Sequence, residues 1–595
     1  MDNNINNKGY QAPVPPQQSA SQYQAQVQYP PYPYKPYVPL KKVYSPLTKK
    51  DNSFIFIFLA VVFLFVDFAL FHSMALGFTI SYFVLSIVST FYLYKKGNKV
   101  DLFSVICGII SLAGAVTFTL FANYFMNAIM FVLIGGLFTL YCLGISASYS
   151  RSRGNFKLLF DLFLGAFIHP FENFATVFGG IRASAKKGKK GYSAALGALL
   201  AVPVLAVIIP LLVKSDAAFE SLIKAVAKNI GQYLLEFVLA LIVTPVLFSF
   251  MYGKREKLNV KKAGSVQIKR IFVPSGSVAF LSVISVTYIV YLISQLAYFF
   301  SAFKGLLPEG YTRSASAFAR RGFYEVFAIC AINVIIISVI SMLTKRKEGK
   351  LSLGVKCLSL FISLFSVLLI ITAIQKMKLN ITTYGFTRNR LLVFTFMLMM
   401  LVVIAFFIIH IFLPKVPYMQ SIIIICSVMF VALSFMDVDT FTLEHNYKAY
   451  KNGSIKSIEM YTVSTLGAPD RFYVELAKSD DPDISHRAVA YMISQNYYRE
   501  DNSKVKFKIK DGKLVTNKKG DFRSYNKAVS DSTKALEEYY NGLSGKEKAL
   551  FDEIYNTLNS DMSYYSPEND TLSHSDGPEY KFNPKTYKYD IEVKY

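Results

Sequence analysis

The sequence predicts an all-α integral membrane helix bundle of about eleven transmembrane helices, joined to a mainly α-helical extracytoplasmic C-terminal domain that contains a small β-hairpin. Three observations predict this. Of 595 residues, 53% are hydrophobic and only 17% charged, whereas soluble proteins carry roughly a quarter charged residues. The apolar residues gather in continuous runs of the length, about 18 to 25 residues, that crosses a hydrocarbon core about 30 Å thick. Lipid offers the backbone no hydrogen-bond partner, so such runs fold as helices; the alternating ten-residue pattern of barrel strands is missing.

Residues 1–52 form a Pro/Gln/Tyr-rich leader, expected to be disordered and cytoplasmic because it has almost no aliphatic residues with which to bury a core. The expected spans are Ser53–Phe71, Ser73–Tyr94, Leu102–Phe121, Tyr124–Ile145, Ser193–Val213 and Gly231–Met251, followed by Ser277–Phe300, Gly322–Leu343, Leu353–Ile374, Leu391–Leu413 and Gln420–Met436. The aromatic segment 155–181 is interrupted by Asp161, Pro170 and Glu172 and flanked by basic clusters. It is expected to lie at the interface rather than to cross. The bundle is thus expected over 53–436, an extracytoplasmic helical domain over 437–566 and a polar Tyr-rich tail over 567–595. In the helical domain, VKFKIKDGKLV around Asp511-Gly512 has the alternation and turn residues of a hairpin. Asp439–Lys451 is expected to continue directly from the last span.

Charge orients the bundle. The formal net charge of +25 resolves into +28 on residues 1–436 and −3 on the remainder. With the N-terminus inside, the inner segments hold 29 Lys and Arg and the outer connections 11, which is the bias that orients plasma-membrane proteins. The basicity therefore reports inner-leaflet contact, with anionic lipids as partners, and not nucleic acid. An envelope component or protein is the expected partner of the external domain.

No phosphate loop, HExxH or GxSxG pattern occurs, and the six histidines and five cysteines stand at no ligand spacing. No cofactor, metal or catalytic residue is expected. Ionisable groups inside a membrane are functional candidates by default. Asp67, Glu236, Gln295 and Glu325 fall in the outer parts of their expected helices, with Tyr298, Arg320, Arg321, Arg388 and Arg390 on the same side. Two readings stand side by side: a polar outer cavity in which these arginines neutralise the carboxylates, or shallow side chains that reach the headgroups. Lys356 is expected to reach the inner face.

Several stretches, LLVKSDAAFESLI, SQLAYFF, YTRSASAFARRGFYEV, YGFTRNRLLV and DVDTFTLEHNYKAYKNG, resemble in order the bacterial multi-pass membrane family of domain of unknown function 4173. The resemblance implies no agreed activity. It adds Asp216, Gly322, Phe323, Tyr384, Gly385, Thr387, Asn446 and Tyr450 as motif positions beside Gln295, Tyr298, Arg321, Glu325 and Arg390. The favoured function is a non-enzymatic envelope sensor or scaffold in the plasma membrane; the alternative is a secondary transporter or lipid translocase with an outward-facing polar site.

Overall fold

The computed structural model describes residues 47–592, apart from isolated positions, 150–156, most of 179–229, 258–269, 305–322, 456–469, most of 480–506, 517–520, 561–578 and 584–587. Pro46–Tyr595 forms one compact unit. The expected leader lies almost wholly outside the described residues, as does most of the expected span Ser193–Val213.

Ten helices among the described residues are long and apolar enough to cross a membrane. In chain order the bundle comprises α1 (Lys49–Phe65), extended by a π-helical turn Val66–Phe71, then α2 (Leu76–Leu93), α3 (Leu102–Leu120) and α4 (Tyr124–Ile145). A short interrupted element follows: α5 (Lys157–Phe163), a π-helical turn Leu164–Ile168 and α6 (His169–Glu172). Then come α7 (Ile230–Arg255), α8 (Pro274–Lys304), α9 (Phe323–Leu343), α10 (Leu353–Tyr384), α11 (Arg388–Phe412) and α12 (Tyr418–Phe435). Helices α1, α2, α3, α4 and α7 pack as one group and α8 to α12 as another, with α12 against α3 joining them. Small residues permit the closest approaches: a Cβ on Gly144 of α4 would overlap the Ser104 hydroxyl of α3, and one on Gly108 would meet the Tyr141 ring. Large apolar side chains such as Leu102, Val132, Val283 and Ile293 point outward, which a water-facing surface would disfavour and lipid accommodates.

Polar contacts tie the helix ends together. At the end where α1 begins, here called proximal, Thr48 caps α1 reciprocally with Asp51. Asp51 accepts from the Tyr92 hydroxyl at 2.9 Å and from Arg255, which joins the ends of α2 and α7. Lys95 pairs with Glu256 at 3.1 Å, and the Asn98 amide donates to the Ile145 carbonyl of α4. The α5–α6 element lies beside the same ends: Gly165 abuts Thr139 of α4, and the buried Lys254 of α7 meets His169.

The other, distal end carries the remainder of the chain. Helix α13 (Val438–Lys451) does not run on from α12. Asp437 takes a left-handed conformation with φ 49°, and this one residue redirects the chain. Further on are α14 (Asp470–Ala477), strands β1 (Phe507–Lys510) and β2 (Lys513–Thr516), a 3-10 turn Phe522–Ser524, α15 (Lys527–Gly542), α16 (Gly545–Ser560), and strands β3 (Glu579–Asn583) and β4 (Lys588–Glu592). Strands β1 and β2 pair antiparallel with Phe507 opposite Thr516, and Gly512 takes φ 68° between them. Helices α13 to α16 and strand β2 share a core of Leu443, Tyr473, Leu476, Leu514, Leu536 and Phe551, separate from the core of the spanning helices.

Candidate functional site

Two polar clamps hold the C-terminal segment to the distal end. The first forms where the π-helical turn Val66–Phe71 widens the backbone at the end of α1. Asp67 is buried there, and Arg523 Nη1 donates to both of its carboxylate oxygens at 2.6 Å. Arg523 Nε also donates to Asp521 at 2.6 Å, and His72 Nδ1 lies 2.8 Å from the Asp67 carbonyl. A charge this far from water needs a charged partner, and the guanidinium serves two carboxylates. Burial by itself pushes Arg523 down, but Asp521 and Asp67 together hold it above its ordinary range. Arg523 in turn holds the Asp521 carboxyl below the usual carboxylate range.

The backbone is fitted to this insertion. The Leu76 N–H donates to the Tyr525 carbonyl at 3.0 Å. A Cβ on Gly77 would stand 2.8 Å from the Phe68 carbonyl and 3.0 Å from that of Arg523, so a side chain here would push the turn away. Phe522 packs edge-on against Phe68. Asn526 links two helices at once: its amide donates to the Phe118 and Phe121 carbonyls at the end of α3, and its Oδ1 accepts from the Val529 N–H at the start of α15.

Glu236 on α7 is wholly buried within electrostatic reach of Asp67, His72 and Arg523. Its Oε1 accepts from Gln232 at 2.8 Å, while its Oε2 has no hydrogen-bond partner among the described residues.

The second clamp joins α11, α13 and α4. Arg388 grips Asp439 through two parallel bonds, Nε to Oδ1 at 2.8 Å and Nη2 to Oδ2 at 2.7 Å. The Asn123 amide donates to the same carboxylate at 3.0 Å while its Oδ1 caps α4. Beside them Asn446 forms a reciprocal pair with the backbone of Phe386, at 2.7 and 2.8 Å. Gly385 makes room for it: φ is 76°, and a Cβ would lie 2.6 Å from Asn446 Oδ1. Thr387 caps α11 by accepting from the Arg390 N–H, and Arg390 Nη1 donates to the Gly385 carbonyl at 2.7 Å. Tyr450 packs against the core of the C-terminal segment.

The expected residues therefore divide. Asp67 and Glu236 gather at the first clamp, and Arg388, Arg390, Gly385, Thr387 and Asn446 at the second. Glu325 is exposed on α9, a helix that packs on α10 and α11. Asp216, Arg320, Arg321 and Gly322 lie outside the described residues, as do the side chains of Gln295, Tyr298, Phe323 and Tyr384. Asp67 takes its cation from Arg523 of the C-terminal segment. That residue, with Asp521, His72, Asn123 and Asn526, was absent from the sequence reading. Asn526 before an amphipathic run is a legible helix cap; the Arg523–Asp67 pairing has no local signal. Among the described residues no group of three or more His, Cys, Asp or Glu could hold a metal ion.

Ten membrane-length helices with buried ionic clamps at one end define a multi-pass membrane protein. The chain belongs to the family described as domain of unknown function (DUF4153), whose model matches residues 106–472. This corrects the family number of the resemblance; that the domain is one of unknown function is common to both. No curated protein and no solved structure matches. The matched span contains the whole Arg388–Asp439–Asn446 clamp, whereas Asp67 and Arg523 flank it on either side.

Proposed function

We propose that this protein is a non-enzymatic sensor or scaffold of the bacterial plasma membrane, with its N-terminus cytoplasmic and its C-terminal domain in the envelope. The observation that carries the reading is the direct ionic coupling of that domain to the spanning helices, through Arg523 on Asp67 and Asp439 on Arg388. A load or ligand on the domain reaches α1, α3, α4 and α11 through hydrogen bonds and packed backbone rather than through a flexible tether. The excess of Lys and Arg in the proximal segments supports the orientation.

Placing single cysteines in a background freed of the five native ones tests the orientation. A membrane-impermeant maleimide should label a cysteine at Lys534 in intact cells and one at Lys95 only after permeabilisation. The reverse pattern would exclude an envelope role for the domain.

A transport reading is favoured by one observation, the unpaired oxygen of the buried Glu236. Proton or cation flux in liposomes that Glu236→Gln abolishes would select it. Against it, Asp67 and Asp439 are each already held by an arginine.

A further inference from the structure

At the proximal end, far from both clamps, the ends of α9, α10, α11 and α12 enclose a cavity of about 150 Å³. Four cations line it: Lys157, Arg270, Arg346 and Lys356. Among the described residues no Asp or Glu lines it, and none of the four has a carboxylate partner. Four like charges around so small a space repel one another. An anion among them would relieve that repulsion. The half-buried Arg346 has its Nε out of solvent with no hydrogen-bond partner, and the same holds for Nδ1 of His410 across the cavity. Burial and the neighbouring Arg270 push the Arg346 guanidinium below its ordinary range. The hydroxyls of Ser341 and Ser359 on two facing helices add to the lining, where Ser338 donates to the Val334 carbonyl.

We propose that this cavity binds a phosphate group, and that its source is the headgroup of an anionic phospholipid in the leaflet at the proximal end. The chemistry follows from the donors: guanidinium and ammonium groups for the charge, and hydroxyl groups for the remaining oxygens. The lipid source follows from depth and walls. Ser341 and His410 are near the last residues of their spans and Lys356 near the first of its own, the level of the polar headgroups. Ile337, Leu351 and Val355 supply an apolar wall beside the charges, so acyl chains can pass along the helices while the phosphate sits inside. Basic pockets between spanning helices are the common form of such sites. The site is independent of the clamps and of the sensor reading.

The full-length protein, purified and reconstituted in nanodiscs of mixed phosphatidylglycerol and phosphatidylcholine, is compared with Arg346→Gln and Lys356→Gln by native mass spectrometry of retained lipid. Wild type should retain phosphatidylglycerol preferentially, and each variant should lose about fivefold of that preference. Lys534→Gln, at an exposed residue of the C-terminal segment, should retain it. Each cavity variant should also melt higher than wild type in phosphatidylcholine alone, since it relieves repulsion, a sign that a misfolded variant cannot give. Stabilisation by inorganic phosphate in detergent, lost in the same variants, with no lipid preference would keep the phosphate site but overturn the lipid source. No preference in wild type together with no effect of phosphate, or a preference that both variants keep, would overturn the site.

Discussion

Arg523 reaches across 456 residues of sequence to place Nη1 2.6 Å from both carboxylate oxygens of Asp67. The pair is mostly buried, with side-chain exposures of 15% and 9%. It fixes the C-terminal segment to the π-helical turn that extends α1.

Removing one partner strands the other. Arg523→Gln should destabilise the docked state by about 3 kcal/mol, the order expected when a buried ion pair loses one charge. Asp67→Asn should act similarly, and the double variant should be less destabilised than the sum of the two. Thermal unfolding of the four proteins in one nanodisc composition measures this coupling.

The same clamp sets an acid limit. Arg523 lowers the folded-state pKa of Asp521 below the usual 3.8. A depressed carboxylate contributes stability that is fully present above its unfolded pKa and is lost as pH falls through the folded one. The contribution of Asp521 to attachment of the Phe522–Ser524 turn should thus be fully present above the carboxylate range and be lost as pH falls below it. Asp521→Asn should flatten this dependence, read as the midpoint of an acid titration followed by a fluorophore on the C-terminal segment.

At the second clamp, Asn446→Ala leaves both backbone groups of Phe386 without the partners they have now. The cost should be about 1–3 kcal/mol. Gly385→Ala should be at least as damaging, because it combines a positive φ with a Cβ 2.6 Å from Asn446 Oδ1. Chemical denaturation in detergent ranks the two.

Asn526→Ala removes a side chain that caps α15 and satisfies two carbonyls of α3. A loss of about 1–2 kcal/mol is expected, with Asn526→Asp recovering only the part due to capping α15, since a carboxylate cannot donate to carbonyls. Melting temperatures of the two variants separate the contributions.

The spanning helices were legible because lipid requires long apolar runs, and those runs are written consecutively in the chain. The expected and observed starts agree at Leu102, Tyr124 and Leu353. The redirection at Asp437 was not legible: the helical pattern of Asp439–Lys451 follows the last span almost without a gap, and a single left-handed residue between them leaves no period in the sequence. Composition alone marked Asp67 and Glu236 as unusual for their setting, and the motif resemblance drew attention to Gly385 and Asn446. Which partner each one meets was hidden for a physical reason. The Arg523–Asp67 and Asn123–Asp439 contacts join segments 456 and 316 residues apart, and no local period or spacing encodes such a pairing. The π-helical turn that presents Asp67 to Arg523 is likewise a local deviation without a sequence signature.

Through the Arg523–Asp67 clamp the C-terminal segment and the spanning helices should move as one body. Hydrogen–deuterium exchange of the intact protein in nanodiscs, with and without Asp67→Asn, tests it most directly. The account predicts that amides over 522–530, and Leu76 which bonds the Tyr525 carbonyl, exchange at least about tenfold faster in the variant, the factor that corresponds to ~1.4 kcal/mol. The core around Leu536 and Phe551 should stay protected. Unchanged exchange over 522–530 would contradict the claim and reduce the segment to a tethered appendage.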